Sequence, residues 1–200
     1  MRRHRPLRYA AADLTVAAVG RSSAAELIAS DASAFVELRE LDVPARAGAQ
    51  AHLVVGYPEF RNVLFYRLQR AGQGALAAAL RRLWPPMPLL EIGCPSIGPG
   101  FVISHGHGTV ISARAIGRRL WVHHQVTIGW TYGQGAGMPT IGDDVFVGAG
   151  AKILGPVRVG DGARIGANAV VLRDVPDGAT AVGVPAEVIQ RGGSPGTGRC

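Results

Sequence analysis

From Ile97 to about Val175 an aliphatic residue, usually followed by glycine, returns every six positions. From Ile141 the run reads Ile-Gly-Asp-Asp-Val-Phe, Val-Gly-Ala-Gly-Ala-Lys, Ile-Leu-Gly-Pro-Val-Arg, Val-Gly-Asp-Gly-Ala-Arg, Ile-Gly-Ala-Asn-Ala-Val and then Val171. A period of six fits neither a helix, at about 3.6, nor one long strand, at about 2. It fits short strands and tight turns wound into a coil, each aliphatic side chain packing on the one a coil above. Hexads of this kind predict a parallel β-helix, three hexads to a triangular coil of about 18 residues.

Two irregularities interrupt the count. One extra residue follows Ile97 and Ile103, so the register is predicted to resume at Val110 and to continue through Ile116, Val122 and Ile128. Residues 129–140 (Gly-Trp-Thr-Tyr-Gly-Gln-Gly-Ala-Gly-Met-Pro-Thr) are glycine-rich and predict a loop thrown out from one corner. Loops on a regular repeat commonly carry function.

Residues 1–85 lack the period and read as helical. Ser22, Ser23 or Ser30 are candidate caps for a helix within Ala24–Leu41, which Pro44 and the Ala-Gly-Ala of 47–49 break. A second helix is predicted from Pro58, a good first-turn residue, carrying Phe60, Val63, Leu64, Arg67 and Leu68 toward Trp84. Pro85, Pro86 and Pro88 end it. The expected organisation is an N-terminal helical domain over 1–85, a β-helix over 86–190 and a flexible tail over 191–200, whose Gly-Gly-Ser-Pro-Gly-Thr-Gly-Arg-Cys has a disordered composition.

With 48% hydrophobic residues in 200, the chain can bury a core without disulfides. Cys94 and Cys200 have no metal-type spacing, which suits a reducing compartment. The formal charge of +7 comes from scattered arginines and the single lysine, Lys152, with no basic helix interleaved with aromatics. That pattern argues against a nucleic-acid surface and favours biased genomic composition, with a smaller part of the charge left to attract an anionic cofactor. No apolar run approaches the roughly 20 residues of a membrane span. The basic start, Met1-Arg-Arg-His-Arg, precedes an apolar stretch interrupted by Asp13, so no signal peptide is expected and the cytoplasm is the expected location.

Gly148-Ala-Gly-Ala-Lys-Ile-Leu-Gly155, Ile165-Gly-Ala-Asn-Ala-Val-Val and Gly183-Val-Pro-Ala resemble the hexapeptide-repeat acyltransferases. Ile103-Ser-His-Gly-His-Gly-Thr-Val-Ile, Gln125-Val-Thr-Ile-Gly and Tyr57-Pro-Glu-Phe-Arg extend the resemblance to the serine O-acetyltransferase branch, over roughly 57–190. The resemblance implies a mainly β fold, a left-handed parallel β-helix with a small helical domain. It also implies a homotrimer with acetyl-CoA in the groove between subunits, and acetyl transfer to the hydroxyl of a small acceptor.

Such a reaction needs a base for the hydroxyl proton and donors for the oxyanion. The family's base aligns with His105, and its orienting carboxylate, with one deletion, with Glu91. His124 falls one coil after His105, so the two should stack along one edge as a second polar group in the same groove. His107 departs from the family residue and is a candidate to face the acceptor. The small positions along which CoA lies correspond to Gly129, Ala149 and Ala167. Arg164, with Lys152, corresponds to the basic position near the nucleotide.

Ser104 and Met138 stand where serine acetyltransferases carry an acid and a histidine that grip serine, the arginine beside that histidine being Gly137 here. The chain also lacks the terminal isoleucine that docks into cysteine synthase, so that partner is not expected. Without those charged partners the acceptor is open to serine, homoserine, a sugar or polysaccharide hydroxyl, or another metabolite. Two other classes share the coil: a γ-carbonic-anhydrase-like zinc enzyme using His105 and His124 as ligands, and a non-catalytic trimeric scaffold. No metal is expected for the transferase.

Overall fold

The structure, a computed structural model, describes residues 7–43, 48–132 and 136–189. The expected flexible tail at 191–200 and the breaker Pro44 lie outside the described residues.

Among the described residues five helices come first: α1 (Leu7–Val19), α2 (Ala25–Leu38), α3 (Ala49–Gly56), α4 (Pro58–Arg70) and α5 (Gly74–Leu83). Proline occupies the first turn of α4, and Phe60, Val63, Leu64, Arg67 and Leu68 are all buried. Phe60 meets Phe35 of α2 edge-on at 5.2 Å. The serine caps do not form. Helix α2 starts after Ala24 with no side-chain cap, and Ser22 Oγ instead donates to the Val19 carbonyl at 2.7 Å. The single helix expected from Pro58 to Trp84 is two, because Gly72 at φ +74° turns the chain between α4 and α5. Trp84 packs inside, its Nε1 donating to Thr15 Oγ1 of α1 at 3.0 Å.

The rest of the described chain winds into a β-helix with three faces. The first face holds Leu90–Ile92, Thr109–Ile111, Thr127–Gly129, Lys152–Leu154 and Val170–Val171, paired in parallel. The second holds Ala115–Ile116, Thr140–Ile141 and Arg158–Val159. The third holds Val102–Ile103, Trp121–Val122, Phe146–Val147, Arg164–Ile165 and Thr180–Val182, closed by the antiparallel Glu187–Ile189. Strands of two or three residues suffice because their peptide groups bond to the coils above and below rather than along their own strand.

Inside, the aliphatic residues stack face by face. Ile103, Val122, Val147 and Ile165 form one fully buried ladder. Ile111, Ile128, Ile153 and Val171 form another. The second ladder corrects the sequence register: Ile111, 0% exposed, stacks between Ile92 and Ile128, whereas Val110 is 36% exposed and points out. The turn after Ile103 is wider than the hexads suggest, with His105 at φ +63° and Gly108 at φ +65°. Strand alternation then sends Val110 outward, since a shift of one residue exchanges the two faces.

The helices close the lower end of the coil. Arg67 of α4 donates to Asp31 of α2 and to the carbonyls of Ile97 and Gly98, while Asp31 also accepts the Phe101 N–H at 2.9 Å. Asn62 likewise donates to the Met87 and Leu90 carbonyls. The first coil, which carries His105, is thereby held from beneath.

Candidate active site

In each coil the chain turns from the third face to the first through a short corner, and these corners form one edge of the prism. Gly150 N–H donates to the His124 carbonyl at 2.9 Å and Asn168 N–H to the Ala149 carbonyl at 2.8 Å. His124, Ala149 and Ala167 therefore sit at one step of three successive coils. Gly150 at φ +73° takes a left-handed turn that glycine adopts without strain. Below them, the exposed His105 lies edge-on to His124, ring centroids 6.1 Å apart at 76°. The expected stacking of His105 and His124 on one edge is present, and the two alanines continue the edge upward.

Two aromatic residues that the sequence reading did not single out, Trp121 and Phe146, hold this edge together with Arg164. Trp121 and Phe146 stack outward on the third face at 5.2 Å, and Arg164 caps them, its Cζ 4.7 Å over the Phe146 ring. The signal was available, because the three occupy the same outward step one coil apart. His123 packs against Trp121 at 5.5 Å, Phe146 at 5.3 Å and His124 at 6.5 Å. Burial pushes the His123 imidazole below the ordinary histidine range, and the charges of His124, His105 and Arg39 add to the depression. Arg39, at the end of α2, is itself paired with Glu59 and lies 5.0 Å over Tyr57.

The remaining sequence-selected residues fall in different places. Ser104 is buried, its Oγ accepting from Trp121 Nε1 at 2.9 Å, so its hydroxyl is already engaged. His107 bends back on the turn: its backbone N–H and its Nδ1, at 2.9 Å, both meet the His105 carbonyl. That carbonyl can only accept, so Nδ1 carries a proton. Glu91 stands exposed on the outer first face beside Val110, with no hydrogen bond to His105.

Lys152 begins the first-face strand just past the Ala149 corner, Nζ donating to the Gln125 carbonyl at 2.6 Å, while Arg164 approaches the Ala167 corner from the third face. The two cations flank the edge. Gly129 and Met138 lie at the far end of the first face, across it from the histidines. Among the described residues no helix is long and apolar enough to cross a membrane, and no group of three or more His, Cys, Asp or Glu is arranged to hold a metal.

A coil of hexads is the architecture of a hexapeptide-repeat transferase, and residues 138–173 match the family described as bacterial transferase hexapeptide (six repeats). The serine acetyltransferase of Helicobacter pylori is 44% identical over 142 residues, 68% of this chain and 83% of the relative. That of Synechococcus elongatus is 38% identical over 169 residues, 81% of this chain and 68% of the relative. The solved soybean serine acetyltransferase apoenzyme superposes with a TM-score of 0.64 at 32% identity, over 84% of this chain and 69% of that one. The Neisseria gonorrhoeae enzyme in complex with serine gives 0.62 at 28% identity, over 86% and 72%. The chain belongs to the serine acetyltransferase family, acetyl-CoA-dependent O-acetyltransferases built on a left-handed parallel β-helix behind a helical segment.

Proposed function

We propose that this chain moves the acetyl group of acetyl-CoA to the hydroxyl of serine or a serine-like small molecule, with His105 as general base. The observation that carries the reading is the edge itself: an exposed imidazole at its foot, a second imidazole above it, then two alanines that leave room for an extended thioester arm. His105 takes the acceptor's proton as the acceptor oxygen bonds to the acetyl carbon. The C–S bond then breaks, and the proton passes from His105 to the leaving sulfur, giving the ester and free CoA thiol.

Acetyl-CoA is a substrate here, and the residues fit it. Ala149 and Ala167 keep the edge low, while Arg164 and Lys152 offer positive charge on either side for the nucleotide phosphates. Gly129 and Met138, across the first face, would reach the same groove from a neighbouring subunit of a trimer. Cys94 is a buried free thiol, compatible with the reducing, cytoplasmic setting that the composition suggests.

The family's solved complexes with serine and with cysteine support an amino-acid acceptor. A second reading, an uncharged acceptor such as a sugar hydroxyl, is favoured by one observation. Ser104 is buried with its Oγ accepting from Trp121, and neither it nor Met138 offers a charge to a zwitterion. A thiol-release assay with acetyl-CoA across serine, homoserine, sugars and hydroxylated metabolites tests both. Acceptor-dependent release is expected, with serine fastest on the first reading and sugars fastest on the second. No release with any acceptor would overturn the proposal.

A further inference from the structure

Among the described residues His105 has no carboxylate partner, and the group set against its ring is another imidazole. His124 is held closely. Its carbonyl accepts from Gly150, its ring is flanked by His105 and His123, and its Nδ1 is buried with no hydrogen-bond partner.

That orphan nitrogen determines the form of the ring. An imidazolium donates from both nitrogens, and a proton on Nδ1 would be a buried donor with nothing to receive it. The neutral ring with its proton on Nε2 leaves only a lone pair facing the interior. The Nε2–H is then the end of His124 available to the groove. The neighbouring His123 ring, its centroid 6.5 Å away, makes no hydrogen bond to this nitrogen either.

Resting on the acetyltransferase reading above, we propose that His124 is a second catalytic residue, neutral with its proton on Nε2, that donates a hydrogen bond to the acetyl carbonyl oxygen as that oxygen becomes negative. His105 removes the acceptor's proton, the acceptor oxygen bonds to the carbonyl carbon, and the carbonyl electron pair moves onto its oxygen, where the Nε2–H meets it. As the carbonyl re-forms, the C–S bond breaks and His105 returns the proton to sulfur. His124 keeps its own proton throughout. A donor fixed in place and partly removed from water is worth far more to a developing oxyanion than one in solvent. The two rings, at 76° to one another, divide the work: one faces the attacking oxygen and the other the carbonyl oxygen.

The test compares wild type, His105→Ala, His124→Ala and His124→Gln in thiol release, using acetyl-CoA and the acceptor wild type turns over fastest. His124→Ala is expected to lower kcat by about 10²–10³ while leaving KM for acetyl-CoA and Tm close to wild type. Gln places an amide N–H near the position of Nε2, so His124→Gln is expected to recover about tenfold or more of that loss. Long-range ¹H–¹⁵N correlation on the wild-type protein is expected to report the Nε2–H tautomer. Any one of three results overturns the assignment: His124→Ala within about threefold of wild type in kcat, His124→Gln no better than His124→Ala, or a proton on Nδ1. A wild type inert with every acceptor would instead bring down the transferase reading, and this role with it.

Discussion

Asp31 and Arg67 meet in a two-pronged ion pair under the first coil, Arg67 Nε 2.8 Å from Oδ2 and Nη2 3.0 Å from Oδ1, with both side chains buried. The pair joins two helices to the peptide groups of Ile97, Gly98 and Phe101, and so to the coil that carries His105. All three guanidinium nitrogens of Arg67 donate at that junction, which is why both charges tolerate burial.

Arg67→Met is therefore predicted to destabilise the fold by about 3–5 kcal/mol, because it leaves the Asp31 carboxylate buried without its countercharge. The double change Asp31→Asn, Arg67→Met should cost less than Arg67→Met alone. Urea unfolding of the three proteins checks both statements.

The corrected register predicts a sharp contrast between neighbours. Ile111→Ala removes a rung of the inner ladder and should cost about 2–5 kcal/mol. Val110→Ser changes an outward side chain and should stay within about 0.5 kcal/mol of wild type. If the two variants melt alike, the ladder through Ile111 is wrong.

His123 predicts a pH dependence of stability. Its folded pKa lies below the unfolded value near 6.5, so the unfolded chain binds the proton more readily. Stability from this site is complete above about 6.5 and is lost as pH falls through the folded value. His123→Gln should flatten the acid side of a Tm-against-pH curve, with no change at pH 8.

The two residues that the family resemblance paired are predicted to behave differently. His105→Ala should lower kcat by about 10²–10⁴. Glu91→Gln, with no bond to that ring, should lower it no more than about threefold. Parallel kcat measurements with pH profiles decide this, and a large Glu91 effect with a shifted acid limb would restore the pairing.

Arg164→Ala and Lys152→Ala should each raise KM for acetyl-CoA about two- to fivefold at low salt, the range expected of exposed charge contacts. The differences should shrink as ionic strength rises to about 1 M, where the Debye length falls to about 3 Å. KM measured across a salt series tests the placement of both cations beside the edge.

What could be read from the hexads follows from their repetition. A six-residue period repeated coil after coil dictates which residues stack, so the β-helix, the shared edge of His105 and His124, and the alignment of Ala149 with Ala167 were legible without coordinates. Pro58 at the start of α4 was equally legible, because its ring suits a first helical turn.

Where the period breaks, spacing stops being informative. The wide turn at 104–108 was counted one residue short, so Val110 stood in for Ile111. Its left-handed His105 and Gly108 obey local backbone strain and hydrogen bonds to the next coil, not the repeat. The same turn ties His107 to the His105 carbonyl, and Trp121, from the coil above, claims Ser104. The sequence by itself determined the coil, its edge and the family chemistry, since these depend on a local pattern repeated many times. Only the tertiary structure decided that the ring set edge-on to His105 is that of His124, while Glu91 stands on the outer first face. That outcome depends on where side chains from different coils point, and a linear period carries no information about it.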